Sequence, residues 1–446
     1  MITAGQNASA PLVTSTEAKV VRALLFRLMP FLFVLYIVNY LDRINVGFAA
    51  LQMRIQLGFS DKVFGTAFGI FFLGYLCLQL PSNLLMAKVG ARRWMAGIMI
   101  AWGLISCLMI LVHTPKSFYQ LRFLLGAAEA GFFPGIILYM KNWFPANARA
   151  RAVALFMTAN PLAGMIGGPI SGALLGIHQL GLAGWQWMFL LEGVPAVILA
   201  GVVLLTLHDV PDTATWLTDE QKQWLRETLE RERDEHAAVS RADLWGTTLR
   251  LSWQILLLTI VYFGLTASAY GLILWLPSYI HSLTSLSNRG IGFVSVIPYV
   301  ASAIAMVLVG MSSDRTAKHR LHLVGSAFAA GIFLLIAAYT TSIIPGLTFL
   351  TLALMATLCM QGPFWATATS LMSGMAAAAG IAVINSLGNL GGFFGPYIIG
   401  QKRSSGGGFG GGMVLIAATL ALAGIISLLV RGPRRNSSPK TLNPLQ

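Results

Sequence analysis

FLFVLYIVNYLDRINVGFAA, residues 31–50, is an apolar run of membrane-crossing length that carries an acid and a base, Asp42 and Arg43, near its middle. A hydrocarbon core ~30 Å thick takes about 20 consecutive apolar residues to cross as a helix, so this stretch reads as the heart of a first span at 24–52. Working outward, the same pattern recurs at 62–86, 94–112, 117–140, 150–176 and 187–207, and again at 252–281, 290–311, 321–340, 343–371, 376–400 and 412–430. Twelve spans result. The composition agrees: 56% hydrophobic and 10% charged residues over 446, with a mean hydropathy of +0.72, exclude a soluble globule.

The net charge of +14 is explained by topology rather than by nucleic acid. Of the 30 Lys and Arg residues, 22 fall on the two termini and the alternate loops that include Lys88, Arg92 and Arg93. Six fall on the opposite loops, and the last two, Arg43 and Arg122, lie within spans. Positive residues collect on the cytoplasmic side, which puts both termini there. The first 19 residues contain no short apolar core and no small-residue cleavage site, so no cleaved leader is expected. Cys77, Cys107 and Cys359 lie in separate spans without a C-x-x-C spacing and read as packing residues. No metal-ligand cluster, nucleophile and base arrangement or phosphate loop is present, and no cofactor is expected.

Ten of the sixteen acids lie in a loop at 208–251, where WLTDEQKQWLRETLERERDEH starts at a candidate N-cap, Thr218, and alternates charge at helical spacing. It reads as a cytoplasmic helix linking an N-terminal bundle (1–207) to a C-terminal bundle and tail (252–446). SSGGGFGGG, at 404–412, reads as a flexible outer loop. The halves resemble repeats: Gly168-Pro169 matches Gly395-Pro396 and Gly135 matches Gly362, both at an offset of 227, and KVGARR falls opposite DRTAKHR. The fold class expected is therefore an all-α membrane protein of twelve helices in two six-helix bundles. Such proteins hold a substrate between the halves near the midplane.

The chain resembles the major facilitator superfamily over its whole length. GMSSDRTAKHR is similar to that family's G-x-x-x-D-R/K loop signature through Gly310, Asp314 and Arg315; in the first half only Lys88, Gly90, Arg92 and Arg93 remain, with Ala87 at the acidic position. More narrowly, NYLDRINVGFA (39–49), QLPSNLL (79–85), KVGARRW (88–94) and RFLLGAAEAGFFPG (122–135) resemble the anion:cation symporters. That resemblance implies proton-coupled uptake of an organic carboxylate such as tartrate or a sugar acid. It further implies that the arginine of the D-R pair contacts substrate, while the neighbouring acid and the fourth-span acid take protons.

Charges at membrane depth are expensive and therefore functional candidates. Asp42, Arg43, Arg122 and Glu129 form that set, with Glu192 near the outer start of the sixth span expected to reach headgroups or cap a loop. Neighbouring helical residues point about 100° apart. Arg43 is accordingly expected to grip the substrate carboxylate, and Asp42 to face the fourth span, where Glu129 lies at similar depth and Arg122 on the same face. Two carboxylates in one low-dielectric site disfavour simultaneous ionisation, which suits proton coupling. Tyr40, Tyr75, Asn160, Tyr270, Gln361, Trp365, Asn385 and Asn389 are candidates for the rest of the substrate or for interhelical bonds. Gly164-x-x-x-Gly168-Pro169-x-x-Gly172 matches a superfamily pattern associated with antiporters, although small residues at this spacing also simply let helices approach. The expected protein is a monomer in a bacterial inner membrane that binds a small organic anion and protons. An exporter of a metabolite or drug, and a ligand sensor that moves nothing, are the alternatives.

Overall fold

The computed structural model describes residues 15–239, 246–371 and 374–430. The expected positions at 1–14, 240–245, 372–373 and 431–446, which include both extreme termini, lie outside the described residues. In lipid every backbone polar group must be satisfied within its own segment, so the apolar runs become helices, and no strand occurs among the described residues. The spans of the first half are Met29–Gln56, Asp61–Val89, Ala91–Leu108, Pro115–Trp143, Ala146–Leu174 and Gly184–Thr206. Those of the second half are Gly246–Leu283, Asn288–Thr316, His319–Ala338, Ile343–Ser370, the pair Gly374–Gly388 and Gly391–Lys402, and Gly410–Leu429. Eleven of the twelve expected spans are each long and apolar enough to cross a membrane, and the broken pair Gly374–Gly388 and Gly391–Lys402 occupies the position of the expected eleventh. Their starts follow local chemistry: Thr114 caps the fourth through the Ser117 N–H at 3.2 Å with Pro115 at the first position.

The linker forms the expected helix, Asp219–Val239. Thr218 accepts from Gln221 N–H at 3.3 Å and Gln221 Oε1 accepts from Thr218 N–H at 3.1 Å, a reciprocal cap. This helix docks on the first half. Glu232 accepts from Arg149 and from the Ala146 N–H, and Glu220 from Thr16 of the helix Ser15–Arg27 that precedes the first span. The Gly-rich stretch after the eleventh span starts with a wide turn at Arg403–Gly407; Gly406 within it and Gly408 after it take positive φ, and the twelfth helix begins at Gly410.

Five spans are interrupted once; four of them form equivalent pairs, and the eighth, broken at Ser295, has an unbroken counterpart in the second. The fourth breaks after Glu129 and the tenth after Cys359; the fifth breaks at Thr158 and the eleventh at Asn389–Leu390. At Thr158, Met360 and Leu390 the N–H shifts to the carbonyl three residues back, a tightened turn inside a helix. The repeat seen in sequence thus extends to where the helices bend.

Glycine sets the helix spacings. A Cβ on Gly126 would lie 1.9 Å from the Phe71 carbonyl oxygen, and one on Gly395 1.9 Å from that of Ala267, so the second and fourth spans, and the seventh and eleventh, touch backbone to backbone. Gly164, Gly168 and Gly172 face Tyr299, Gly292 and Asn288 of the eighth span, which makes this stripe a contact between halves. On the side away from the linker, Gly400 meets Gly65 and Asp61. There Asp61 pairs with Arg54 at 3.0 Å and Arg403 at 3.4 Å, and Lys62 N–H donates to Ser404 at 2.7 Å. The Arg403 guanidinium lies 3.9 Å from the Phe409 ring centre and 4.9 Å from that of Trp275. The halves are therefore latched together on that side.

Gly126→Val is expected to destabilise the protein by about 1–3 kcal/mol through overpacking, read as a lower melting temperature in detergent. Gly97→Ala, where an added Cβ meets nothing within 4 Å, is expected to leave it unchanged.

Candidate functional site

The first helix carries the centre of the site, because its polar residues Asn39, Asp42, Arg43 and Asn45 recur at one-turn spacing inside an otherwise apolar run. Asn39, Asp42 and Asn45 are fully buried. Glu129, also buried, ends the first segment of the fourth span. Its Oε2 accepts from Arg43 Nε at 2.7 Å and from Asn39 Nδ2 at 2.8 Å. Its Oε1 and Arg43 Nη2 are buried without a partner among the described residues. The pair is thus closed on one edge and has a free donor and a free acceptor on the other.

This arrangement corrects the expected division of labour. Arg43, not Asp42, faces Glu129, and Asp42 turns toward the third span, where its Oδ1 accepts from Ser106 at 2.7 Å and from Asn45 at 3.4 Å. The roughly 100° between neighbours holds; the directions are the reverse of those expected. Arg122 lies one layer away, with Nε donating to the Ala67 carbonyl at 3.3 Å. The Phe71 ring stands between the cations, 5.5 Å from the Arg43 guanidinium and 4.9 Å from that of Arg122. An aromatic face attracts each of them and keeps them apart.

The other candidates fall into three groups. Tyr75 lies 5.2 Å from Arg43, ring centre to guanidinium, and Tyr270 with Tyr36 completes a set of phenols around it; Tyr270 rests on Phe72 at 4.4 Å. Tyr40, Asn160 and Gln361 line a cavity between the halves with Tyr299 and Ile273. At about 40 Å³ it holds roughly one water, so the path between halves is nearly closed here. Trp365 and the last two asparagines are occupied by packing. Trp365 meets Phe364 and Tyr262 edge to face, and Asn389 donates to Asn385 at 3.3 Å.

Glu192 reverses its expectation. It lies inside the first half, buried, and accepts from Ser171 of the fifth span at 2.8 Å rather than reaching the surface. Asn39, Tyr36, Asn45 and Ser106 went unremarked in the sequence reading. The signal for the first two was available: they precede Arg43 by four and seven residues and so share its face. Nothing in the sequence pairs Ser106 with Asp42. A larger apolar hollow of about 710 Å³, lined by Leu108, Leu111, Tyr119 and Phe123 among others, contains none of these residues. Its rim of exposed leucines marks it as lipid-facing.

The sequence profile of the Major Facilitator Superfamily matches residues 32–396. The chain belongs to that superfamily, and within it to the anion:cation type of permease. An Agrobacterium vitis protein named "Putative tartrate transporter" is 47% identical over 427 residues, spanning 96% of this chain and 93% of its own. A "Quinolone resistance transporter" of Acinetobacter baumannii is 38% identical over 96% of this chain and 98% of its own. A bacterial homologue of the human lysosomal transporter Spinster superposes with a TM-score of 0.73 at 15% identity, covering 92% of this chain and 97% of its own, which shows the fold. The chain is a membrane transporter and not an enzyme.

Removing one partner of a buried ion pair leaves the other charge uncompensated, which costs about 3–5 kcal/mol. Glu129→Ala is expected to show that loss in thermal unfolding, and Arg43→Leu combined with Glu129→Leu to recover most of it.

Proposed function

We propose that the protein imports a small organic carboxylate, tartrate or a sugar acid, together with protons by alternating access. One observation carries the reading: a guanidinium at the centre of the bundle, Arg43, is held by a carboxylate, Glu129, that is itself a proton acceptor. A substrate carboxylate and Glu129 compete for the same donors. Protonated Glu129 loses its claim on Arg43, and the fork of guanidinium N–H groups then becomes free to grip the substrate in two parallel bonds. When substrate leaves, Arg43 recaptures Glu129 and the proton departs. Proton and anion are thereby bound in the same half-cycle.

Tyr40, Tyr75, Asn160, Tyr270 and Gln361 supply neutral donors and acceptors for hydroxyls. Trp365, Asn385 and Asn389 join them if the second half shifts to open the closed cavity. Asp42 acts as the second proton-carrying group, and Arg122 balances the charge of Glu129 from behind Phe71. The names of the Agrobacterium relatives support tartrate as the first compound to try. The linker side is taken as cytoplasmic, in a bacterial inner membrane, with the protein working as a monomer. The latch at Asp61 and Arg403 then corresponds to closure on the outside.

Purified protein in proteoliposomes is expected to accumulate tartrate when the exterior is made acidic. Glu129→Gln is expected to keep tartrate exchange and lose gradient-driven accumulation. Unchanged accumulation by Asp42→Asn with Glu129→Gln overturns the coupling assignment. Arg43→Lys is expected to weaken tartrate binding about 10- to 100-fold, the loss of one charge-assisted bond.

The quinolone resistance relative and the fifth-span glycine stripe favour a second reading, export of a drug or metabolite. Inverted vesicles accumulating a fluoroquinolone while right-side-out vesicles accumulate no carboxylate would establish it instead.

A further inference from the structure

Glu192 is buried and has no part in the cycle above. Its Oε1 accepts from Ser171 at 2.8 Å, and its Oε2 has no partner among the described residues. Beside it lies Asn45 of the first span, whose Nδ2 donates to Asp42 Oδ1 at 3.4 Å, while Ser106 donates to that same oxygen at 2.7 Å. Asn45 Oδ1 and Asp42 Oδ2 are likewise buried and unpartnered. Spans one, three, five and six thus converge on a polar line running Ser106, Asp42, Asn45, Glu192, Ser171. It lies inside the first half, on the other face of the first helix from Arg43 and Glu129.

The charge balance of this line is one-sided. The fifth span offers Glu192 only the Ser171 hydroxyl, and the sixth brings no other ionisable group near it. The third contributes the Cys107 thiol, close to Gly193, and the first contributes Asp42. Glu129 of the fourth span is a stronger charge neighbour of Asp42 than Glu192 is, and Arg122 opposes both; Arg122 is otherwise turned to Phe71 and the Ala67 carbonyl, and Arg43 to Glu129. Two carboxylates therefore share one bridging amide with no cation between them. Such a pair disfavours double ionisation, and its protons belong to the pair rather than to either member.

We propose that Glu192 is a positioning residue for proton loading: its charge, felt across Asn45, adds to that of Glu129 in setting the pH at which Asp42 takes its proton. In its acid form Glu192 makes Asp42 easier to ionise, and in its anionic form it helps to hold a proton on Asp42. No bond other than O–H is made or broken, and the proton exchanges with water as the cavity opens. The proposal takes its place in the cycle from the proton-coupling reading and rests on it.

The test is a pH titration of protonated-carboxyl C=O bands by infrared difference spectroscopy on lipid-reconstituted protein without substrate. Glu192→Gln retains an amide oxygen for Ser171 and removes only the charge. The Asp42 band, assigned by its loss in Asp42→Asn, is expected to move its midpoint to lower pH by about one unit in Glu192→Gln, since more acid is needed to load a site that has lost a negative neighbour. Reciprocity requires Asp42→Asn to shift the Glu192 band in the same sense, which supplies the measurement if Glu192→Gln folds poorly. Midpoints that match those of the wild type overturn the proposal. Tartrate accumulation by the wild type under a proton gradient, measured alongside, tests the coupling reading separately.

Discussion

A charge cannot be left alone in a low-dielectric interior, and the bond between Arg43 and Glu129 is how this protein keeps an arginine in the middle of a membrane bundle. Much of the first half is arranged around it. Asn39 takes the second position on Glu129 Oε2, the fourth helix breaks directly after Glu129, and Phe71 stands between Arg43 and Arg122 so that two cations share one region. The contact that places Phe71 is itself a glycine contact. Its carbonyl touches Gly126 three residues before Glu129, so backbone spacing and charge pairing are fixed by the same turn of helix.

The second constraint is that two packed halves must be able to part. Side chains that interlock deeply resist this; glycines meeting backbone do not. The contacts between halves are largely of the latter kind: Gly168 on Gly292, Gly47 on the Leu274 carbonyl, Gly65 on Gly400. Strength is added at the end, where Asp61 binds both Arg54 and Arg403. The Arg403 and Asp61 side chains are only 11% and 15% exposed, so this pair is a partly buried link between the halves.

Class, span number, the repeat and the charged residues were legible in the sequence, because each follows from hydrophobic length or from the rarity of charge in lipid. Thr218 was legible as a cap for the same kind of local reason. Direction was not. Asp42 and Arg43 are adjacent, helical geometry separates them by a fixed angle, and only the rotation of the first helix decides which one meets Glu129. That rotation is set by Ser106 and Phe71, residues distant in sequence whose types carry no signal of the contact. Glu192 was misplaced for a related reason. Its position near a span end suggested exposure, whereas depth along the axis says nothing about the side of the helix on which a residue lies, and its partner Ser171 is an unremarkable serine in a glycine-rich stripe.

The two faces of the first helix explain why a D-R pair should be adjacent at all. In the proposed cycle one face presents a cation whose partner is exchanged, Glu129 for a substrate carboxylate. The other presents an acid in a line of hydroxyls, amide and second acid that no substrate reaches. A rigid helix links them, so occupancy on one face is felt on the other at a separation of one residue. Swapping their order would put the acid against Glu129 and the arginine among Ser106, Asn45 and Glu192, where it would be satisfied permanently and useless for exchange. On the proposed cycle the order of the pair is a functional constraint, while its depth in the membrane is the structural one.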